Sequence, residues 1–190
     1  MKPKFADFGF YHVNTAYLKY LHDEIDTEVY YSEVKNYERK PFLGVIVNIE
    51  DYQYFIPLTS RKTKHLKWKN VGNTHYLIYE TVDKKELRRG DIFKPVPDSD
   101  TVLKLLSALD IKKMIPVPAD CYEKVDFNAE TDLRYKALLE KEYFFCQSVQ
   151  DGILEKALKI YHEQKESGVV HKMYCNFSKL EEACKTWNPA

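Results

Sequence analysis

Two apolar runs separated by a short polar turn lie in the first third of the chain and predict a β-hairpin. Residues 42–49 are rich in branched apolar side chains, and residues 52–58 form a second run that is rich in aromatic side chains. Glu50 and Asp51 separate the runs, which is typical of antiparallel partners joined by a tight turn. The hairpin presents the residues after position 58 at its open end, where loops on a rigid scaffold often carry function.

Further apolar runs predict additional strands around this hairpin. Residues 8–13 form a short aromatic strand, and residues 75–79 form another strand. Residues 113–117 indicate a short strand that its proline confines to the edge or end of a sheet. Residues 101–110 fit a short helix and a buried strand equally well, and residues 82–97 are a charged, turn-rich insertion with solvated charges.

Helical periodicity occurs once near the N-terminus and dominates from residue 128 onward. Asn14 is a candidate N-cap for a helix whose apolar residues recur three and four positions apart. A long helix follows residue 128, residues 153–161 continue it or form a second helix, and Gly168 ends it.

A last amphipathic helix covers residues 178–187 and has two candidate caps. Asn176 and Ser178 both suit an N-cap, and Ser178 with Glu181 fits a capping box. Strands followed by helices predict an α+β fold with a long C-terminal helical part. No repeat or linker divides the chain, so we expect a single domain over residues 1–190.

The composition indicates a folded protein without a metal centre. Of the 190 residues, 44% are hydrophobic and 31% are charged, which is enough to bury a core. The four cysteines are scattered and form no C-x-x-C pair, so we expect reduced thiols rather than a zinc site. The sequence has neither an apolar signal core nor an apolar run of about 20 residues, so we expect a cytoplasmic location with no membrane partner.

One stretch is strongly basic, although the formal net charge of the chain is zero. Residues 52–79 contain no Asp or Glu, and Thr59 and Ser60 place two hydroxyls at the start of the basic part. Hydroxyls beside cations at the end of a strand favour a phosphate-binding site, and a solvated basic loop is the alternative. The cations are Arg61, Lys62, Lys64, Lys67 and Lys69.

Residues just before the hairpin extend this basic region. Arg39 and Lys40 precede the first hairpin strand, so pairing in register brings them to the same open end. Tyr37 lies beside them in a charged loop, where an aromatic side chain either stacks on a base or pins the loop to the core.

Three motifs occur in a fixed order: KPFLGV at residues 40–45, YFIPLTSRK at 54–62 and CNFSKLEE at 175–182. Residues 114–117 and the helix start at Tyr135 fit between them. Together these stretches resemble the ToxN/AbiQ family, the toxin endoribonucleases of type III toxin–antitoxin systems, over nearly the whole chain.

The resemblance implies a strongly bent antiparallel sheet related to the Kid/MazF barrel, with helices packed around it. It implies a bacterial or phage-encoded enzyme that uses no metal or cofactor and cuts single-stranded RNA, leaving 2′,3′-cyclic phosphate and 5′-hydroxyl ends. The implied inhibitor is a small repetitive RNA antitoxin rather than a protein. The toxin processes it into pseudoknots that assemble with the toxin into a closed ring. The implied setting is growth arrest and abortive infection by phages.

The resemblance also implies residue roles. Lys62 matches the family's catalytic lysine, and Thr59 and Ser60 match the hydroxyl pair that orients the scissile phosphate. His65 is a candidate general base by its ordinary pKa, with a solvated histidine as the alternative. We expect the surrounding residues to bind RNA: Tyr37, Arg39, Lys40, Arg61, Lys64, His65 and Lys67.

Other interpretations remain open at this stage. Glu140 occupies the helix position where some family members place a site tyrosine, which suggests a different RNA contact. Thr59 and Ser60 could instead cap their own loop, and Asn176 to Ser178 could cap a helix over the core. A non-catalytic RNA-binding module would use the same basic region. A protein-interaction domain would leave the order of the motifs unexplained.

Overall fold

A computed structural model gives the structure of the protein and describes Lys4–Phe5 and residues 7–32 and 43–188. The candidate RNA-binding residues Tyr37, Arg39 and Lys40 lie outside the described residues. The described part is a mixed α/β structure in which helices pack against an antiparallel sheet. That an uninterrupted single domain spans the whole chain stays a prediction.

The described residues form nine strands, and all of their recorded pairings are antiparallel. The strands are β1 (Lys4–Phe5), β2 (Tyr11–Val13), β3 (Leu43–Ile49), β4 (Tyr52–Ser60), β5 (His75–Asp83), β6 (Phe93–Pro95), β7 (Thr101–Asp110), β8 (Ile115–Pro116) and β9 (Tyr122–Lys124). The predicted hairpin is confirmed, since β3 and β4 pair from Gly44 opposite Pro57 to Ile49 opposite Tyr52.

The strands follow one path, β5-β7-β4-β3-β2-β9, with β1 beside β3, β6 beside β7 and β8 beside β4. Strand β4 links the two parts of the sheet, because it pairs with β3 along its length and with β7 at its last residues. The path over the described strands does not return on itself. The expected Kid/MazF-like closed barrel is therefore not confirmed, whereas the antiparallel sheet is.

The described helices are α1 (Thr15–Tyr20), α2 (Leu133–Ser148), α3 (Gln150–Ser167) and α4 (Phe177–Thr186), and a π-helical turn over Leu21–Ile25 continues α1. Asn14 caps α1 as predicted, because its Oδ1 accepts hydrogen bonds from the N–H groups of Ala16 (2.8 Å) and Tyr17 (3.2 Å). Helix α3 ends at Gly168, whose φ of 66° lies in the left-handed region that glycine adopts without strain.

The expected capping box at the last helix is wrong, and the motif serves the core instead. Asn176 is the N-cap, since its Oδ1 accepts a hydrogen bond from the Lys179 N–H at 3.2 Å. Glu181 is buried, and its Oε1 accepts hydrogen bonds from Tyr54 (2.8 Å) and Tyr161 (2.9 Å). Lys165 lies 2.6 Å from its other oxygen. The motif therefore joins β4, α3 and α4.

Two segments that the sequence left open or misassigned are strands. Residues 101–110 form β7, the central partner of both β4 and β5. The prediction that residues 82–97 form a turn-rich insertion is partly wrong. The first two of these residues end β5, and Phe93–Pro95 forms β6 on the edge of β7. Pairing with neighbouring strands therefore determines the secondary structure of both segments.

Apolar side chains pack on both faces of the β5-β7 region. The main core lies between the sheet and the helices and includes Ile78, Leu106 and Leu109. A small second cluster holds Leu77, Leu105 and Ala108, and Trp68 from the basic stretch packs against it. The basic stretch after β4 is thus anchored to the sheet and is not a free loop.

Candidate functional site

A cleft with a volume of about 180 Å³ lies beside the end of β4 and between β7 and α2. Apolar side chains such as Leu43 and Leu58 form part of its wall. The polar residues that line it are Thr59, Ser60, Arg61, Ser107, Tyr135 and Glu142. Both residues that the sequence predicted for phosphate binding, Thr59 and Ser60, therefore line a concave site and not a flat surface.

The strand register sets the hydroxyl wall of the cleft. Thr59 pairs with Ala108 and Ser60 pairs with Ser107 in the antiparallel β4-β7 ladder. Directly opposed residues of such a ladder project from the same face of the sheet, so Ser60 and Ser107 are side by side. Ser60 is exposed and Ser107 is buried.

Helix α2 supplies the opposite wall. Tyr135, Leu138 and Glu142 are three and four positions apart, so they share one face of the helix. Burial, together with the charges of Glu142 and Glu130, raises the pKa of Tyr135 to about 12, so its hydroxyl keeps its proton at neutral pH. Glu142 is buried, with 4% of the residue exposed, and it brings a carboxyl group to this wall.

Lys62 is exposed, and it is not among the described residues that line the cleft. It lies two positions beyond Ser60, just before the 3-10 turn Thr63–Lys67. Its backbone is held on both sides by His65: the Lys62 N–H donates to His65 Nδ1 at 3.2 Å, and the His65 N–H donates to the Lys62 carbonyl at 2.9 Å. The backbone of Lys62 is fixed while its side chain faces solvent.

The expectation of a solvated His65 is wrong, because its side chain is 0% exposed. Its ring packs on Trp68 with centroids 4.6 Å apart. Burial, with the nearby charges of Lys64 and Lys62, lowers the pKa of His65 to about 4, so the ring is neutral at pH 7. An enclosed neutral ring that holds the Lys62 backbone is a positioning group, and it does not reach the cleft.

The cations of the basic stretch differ in their surroundings. Arg61 lies 3.7 Å from the carboxylate of Asp91, which also lies 3.3 Å from Lys104, so a distant segment supplies its counter-charge. Lys64 lies over the Trp68 ring at 5.5 Å. In the described part of the chain no carboxylate pairs with Lys64 or Lys67, and both are exposed.

Asp91 is held in its charged form. Partial burial opposes its ionisation, but hydrogen bonds from the Arg88 N–H and Lys104, with the charge of Arg61, lower the pKa of its carboxyl. The anion therefore persists at neutral pH beside Arg61.

Glu140 lies away from the hydroxyl cleft. It lines a different cleft of about 350 Å³ with aromatic residues that include Phe8, Tyr143 and Phe144. The α2 residues that face Thr59 and Ser60 are Tyr135 and Glu142 instead. No local pattern in the sequence pointed to Glu142.

No group of three or more His, Cys, Asp and Glu side chains within residues 4–5, 7–32 and 43–188 is arranged to hold a metal ion. The four cysteines are free thiols, and three of them are buried. Among the described helices, none is both long and apolar enough to cross a lipid bilayer.

The arrangement suits the binding of a phosphate group. A hydroxyl in a concave wall can donate hydrogen bonds to anionic oxygens, and the exposed lysines that follow this wall in the chain can supply charge. Sequence reasoning found Thr59 and Ser60 and missed Ser107. The available signal was a lone serine within the apolar run of residues 101–110.

Relatives of known activity cover most of the chain. An endoribonuclease ToxN from Bacillus thuringiensis subsp. kurstaki is 28% identical over 187 residues, which cover 94% of this chain and 83% of the relative. An endoribonuclease ToxN from Pectobacterium atrosepticum is 28% identical over 177 residues, which cover 91% of this chain and 90% of the relative.

The fold is also similar to a solved structure that concerns bacterial type III toxin–antitoxin systems and selective toxin inhibition by a non-coding RNA pseudoknot. The two chains are 26% identical, the match covers 97% of each, and the TM-score is 0.67. The family model of the toxin ToxN of type III toxin–antitoxin systems matches residues 9–185. The chain therefore belongs to the ToxN family of toxins of type III toxin–antitoxin systems.

Proposed function

We propose that this chain is a metal-independent endoribonuclease toxin that cuts single-stranded RNA. The observation that carries the proposal is the Thr59-Ser60-Arg61-Lys62 segment at the end of β4, whose first three residues line a cleft and whose lysine has a fixed backbone. Membership of a family whose relatives are named endoribonucleases supports it.

In the proposed reaction the 2′-hydroxyl of the RNA releases its proton to water and attacks the adjacent phosphorus. The bond from phosphorus to the 5′-oxygen breaks, which leaves a 2′,3′-cyclic phosphate and a 5′-hydroxyl. Thr59 and Ser60 orient the phosphate by hydrogen bonds to its non-bridging oxygens. Lys62 stabilises the charge that grows on these oxygens and protonates the leaving 5′-oxygen.

Basic residues around the cleft bind the rest of the RNA in this proposal. Lys64 and Lys67 are exposed and suited to phosphates along the strand, and Arg61 adds a contact at the cleft wall. Tyr37, Arg39 and Lys40 keep their proposed RNA contacts. His65 is assigned a different role, because its buried ring positions Lys62 and does not face the solvent.

The proposed regulator is an RNA antitoxin and not a protein. It is a small repetitive RNA that the toxin cuts into pseudoknot units, and these assemble with the toxin into a closed ring. The pseudoknot inhibition described for the structurally similar toxin supports this part of the proposal. Cleavage of mRNA in the cytoplasm, when the antitoxin is lost, then arrests growth and aborts phage infection.

A non-catalytic RNA-binding module is the second candidate, because the exposed cations suit binding whether or not the RNA is cut. Lys62→Ala separates the two functions, with Lys67→Ala as the matched control from the same basic stretch. We expect Lys62→Ala to lower the cleavage rate about 100-fold or more and RNA affinity only a few-fold. Lys67→Ala should weaken binding to a similar extent and leave the cleavage rate of bound RNA intact. Equal cutting by the two variants would contradict the role of Lys62.

A further inference from the structure

Ser107 is a buried serine in the cleft wall whose hydroxyl has no hydrogen-bond partner in the described part of the chain. The residue is 4% exposed, and its Oγ is enclosed by protein. Buried polar groups nearly always have a partner, so each exception requires an explanation. Other buried polar atoms without a partner belong to Asn48, His65 and Trp187, and none of these residues lines the cleft.

The neighbour of Ser107 across the ladder is Ser60. The two residues are directly opposed in the β4-β7 pairing, which puts their side chains on one face with Cβ atoms about 4.5–5.5 Å apart. Hydroxyl side chains at this spacing can form a cross-strand hydrogen bond. Ser60 is exposed to the cleft and Ser107 lies enclosed beside it, so a ligand meets Ser60 first.

A β-bulge in β7 points Ser107 toward this wall. On β5, Ile78 pairs with Ser107 and Tyr79 pairs with Leu105, so Leu106 has no opposing residue. An extra residue lets two successive side chains turn toward one face, and both Leu106 and Ser107 line the cleft. Bulges are common beside active sites because they re-aim a side chain in this way.

We propose that Ser107 is a positioning residue that acts through Ser60 on the bound RNA phosphate. When the Ser60 hydroxyl donates its hydrogen to a non-bridging phosphate oxygen, its Oγ is left as an acceptor, and the Ser107 hydroxyl is the adjacent donor. The hydrogen bonds then run from Ser107 through Ser60 to the phosphate, and each strengthens the next. This inference rests on the proposed function, because Ser60 must face a phosphate.

Because the Ser107 Oγ is enclosed, its role in phosphate binding is indirect. The phosphate cannot touch an Oγ that protein atoms cover, so Ser107 orients Ser60 and does not contact the substrate itself. The Ser107 Oγ has no hydrogen-bond partner in the described part of the structure, and in the proposal the Ser60 side chain becomes that partner when it turns to meet the phosphate. Removing the Ser107 hydroxyl should therefore slow cleavage without weakening the fold.

A double-mutant cycle tests this role with wild type, Ser60→Ala, Ser107→Ala and the double variant. Single-turnover cleavage of saturating RNA reports the rate constant of each protein. We expect Ser107→Ala to slow cleavage about 5- to 10-fold, as for one lost hydrogen bond, and to change the rate less than about 2-fold in the Ser60→Ala background. Ser107→Thr keeps a hydroxyl and should restore most of the rate. Ser148→Ala, the same change at the end of α2, should have no effect.

A second cycle uses RNA with a 2′-deoxynucleotide at the mapped cleavage site. This RNA binds but cannot be cut, so the affinities of the four proteins can be compared even where cleavage is too slow to measure.

Equal slowing of cleavage by Ser107→Ala in the wild-type and Ser60→Ala backgrounds, or no slowing, would overturn the inference. A lowered melting temperature with slower cutting and no recovery in Ser107→Thr would show a packing role and also overturn it. If the wild type does not cut RNA, the proposed function fails while Ser107 is intact, which distinguishes the two failures.

Discussion

The buried ring of His65 makes the position of Lys62 depend on pH. His65 Nδ1 accepts a hydrogen bond from the Lys62 N–H at 3.2 Å, so the ring must be unprotonated at that nitrogen. Protonation would remove this bond and place a charge beside Lys62 and Lys64 in an enclosed site. We therefore expect acid to destabilise the turn that follows β4, and with it the backbone that carries the proposed catalytic lysine.

The size of the effect follows from the lowered pKa. The ordinary pKa is 6.5 and the folded value is about 4, so the folded state binds the proton less readily than the unfolded state. The stabilisation is complete above pH 6.5 and is lost as the pH falls from 6.5 toward 4. At about 1.4 kcal/mol per pKa unit, the loss between pH 8 and pH 5 is at most about 2 kcal/mol of unfolding free energy.

Urea unfolding between pH 5 and pH 8 measures this dependence in the wild type and in His65→Asn. The asparagine Oδ1 can replace Nδ1 as the acceptor and does not titrate in this range. We expect the variant to be less stable at pH 8, because it loses the ring contact with Trp68, but to show a stability that falls by about 2 kcal/mol less toward pH 5. His162→Asn, at an exposed histidine on α3, is the control for loss of a histidine. The same pH dependence in His65→Asn and wild type would refute the reasoning.

Two other substitutions test the networks around the sheet. Glu181→Ala should lower the unfolding free energy by about 3–5 kcal/mol, because it leaves the buried Tyr54 hydroxyl without its acceptor and Lys165 without its carboxylate, while the Tyr161 hydroxyl keeps only Glu50. Glu182→Ala, at the exposed neighbouring position, should change it by less than about 0.5 kcal/mol in the same chemical denaturation assay, and similar losses would contradict the network. Asp91→Asn removes the carboxylate beside Arg61 and should raise RNA affinity about 2- to 3-fold at low salt, whereas Asp98→Asn should not; equal affinities in a titration at several salt concentrations would count against the role of Arg61.

Local signals in the sequence predicted the elements that depend on neighbours in the chain. The apolar runs around Glu50 and Asp51 predicted the β3-β4 hairpin, and the short polar side chain of Asn14 predicted the N-cap of α1. Gly168 marked the end of α3 because a left-handed residue is needed there. The same local reasoning placed Thr59 and Ser60 at the end of a strand, and both residues line a cleft in the structure.

Features that depend on distant segments could not be predicted in this way. Residues 101–110 have a pattern that a helix and a strand both satisfy, and only pairing with β4 and β5 decides between them. The burial of His65 depends on Trp68 and the opposite face of the sheet, although the surrounding sequence is strongly polar. The spacing of Glu181 fits a capping box, but its buried carboxylate accepts hydrogen bonds from Tyr54 and Tyr161, which belong to other elements of the fold. Counter-charge for Arg61 likewise comes from Asp91, outside the acid-free stretch.

The most direct test of the ribonuclease function is induction of the wild type and of Lys62→Ala in a bacterial host, with cellular RNA ends mapped. The account predicts that the wild type arrests growth and produces new 5′-hydroxyl ends, and that an equal amount of folded Lys62→Ala does neither. Equal production of such ends by the two proteins would contradict the assignment of Lys62. Absence of new ends from both, with RNA binding retained, would contradict the enzyme and leave the binding module as the function.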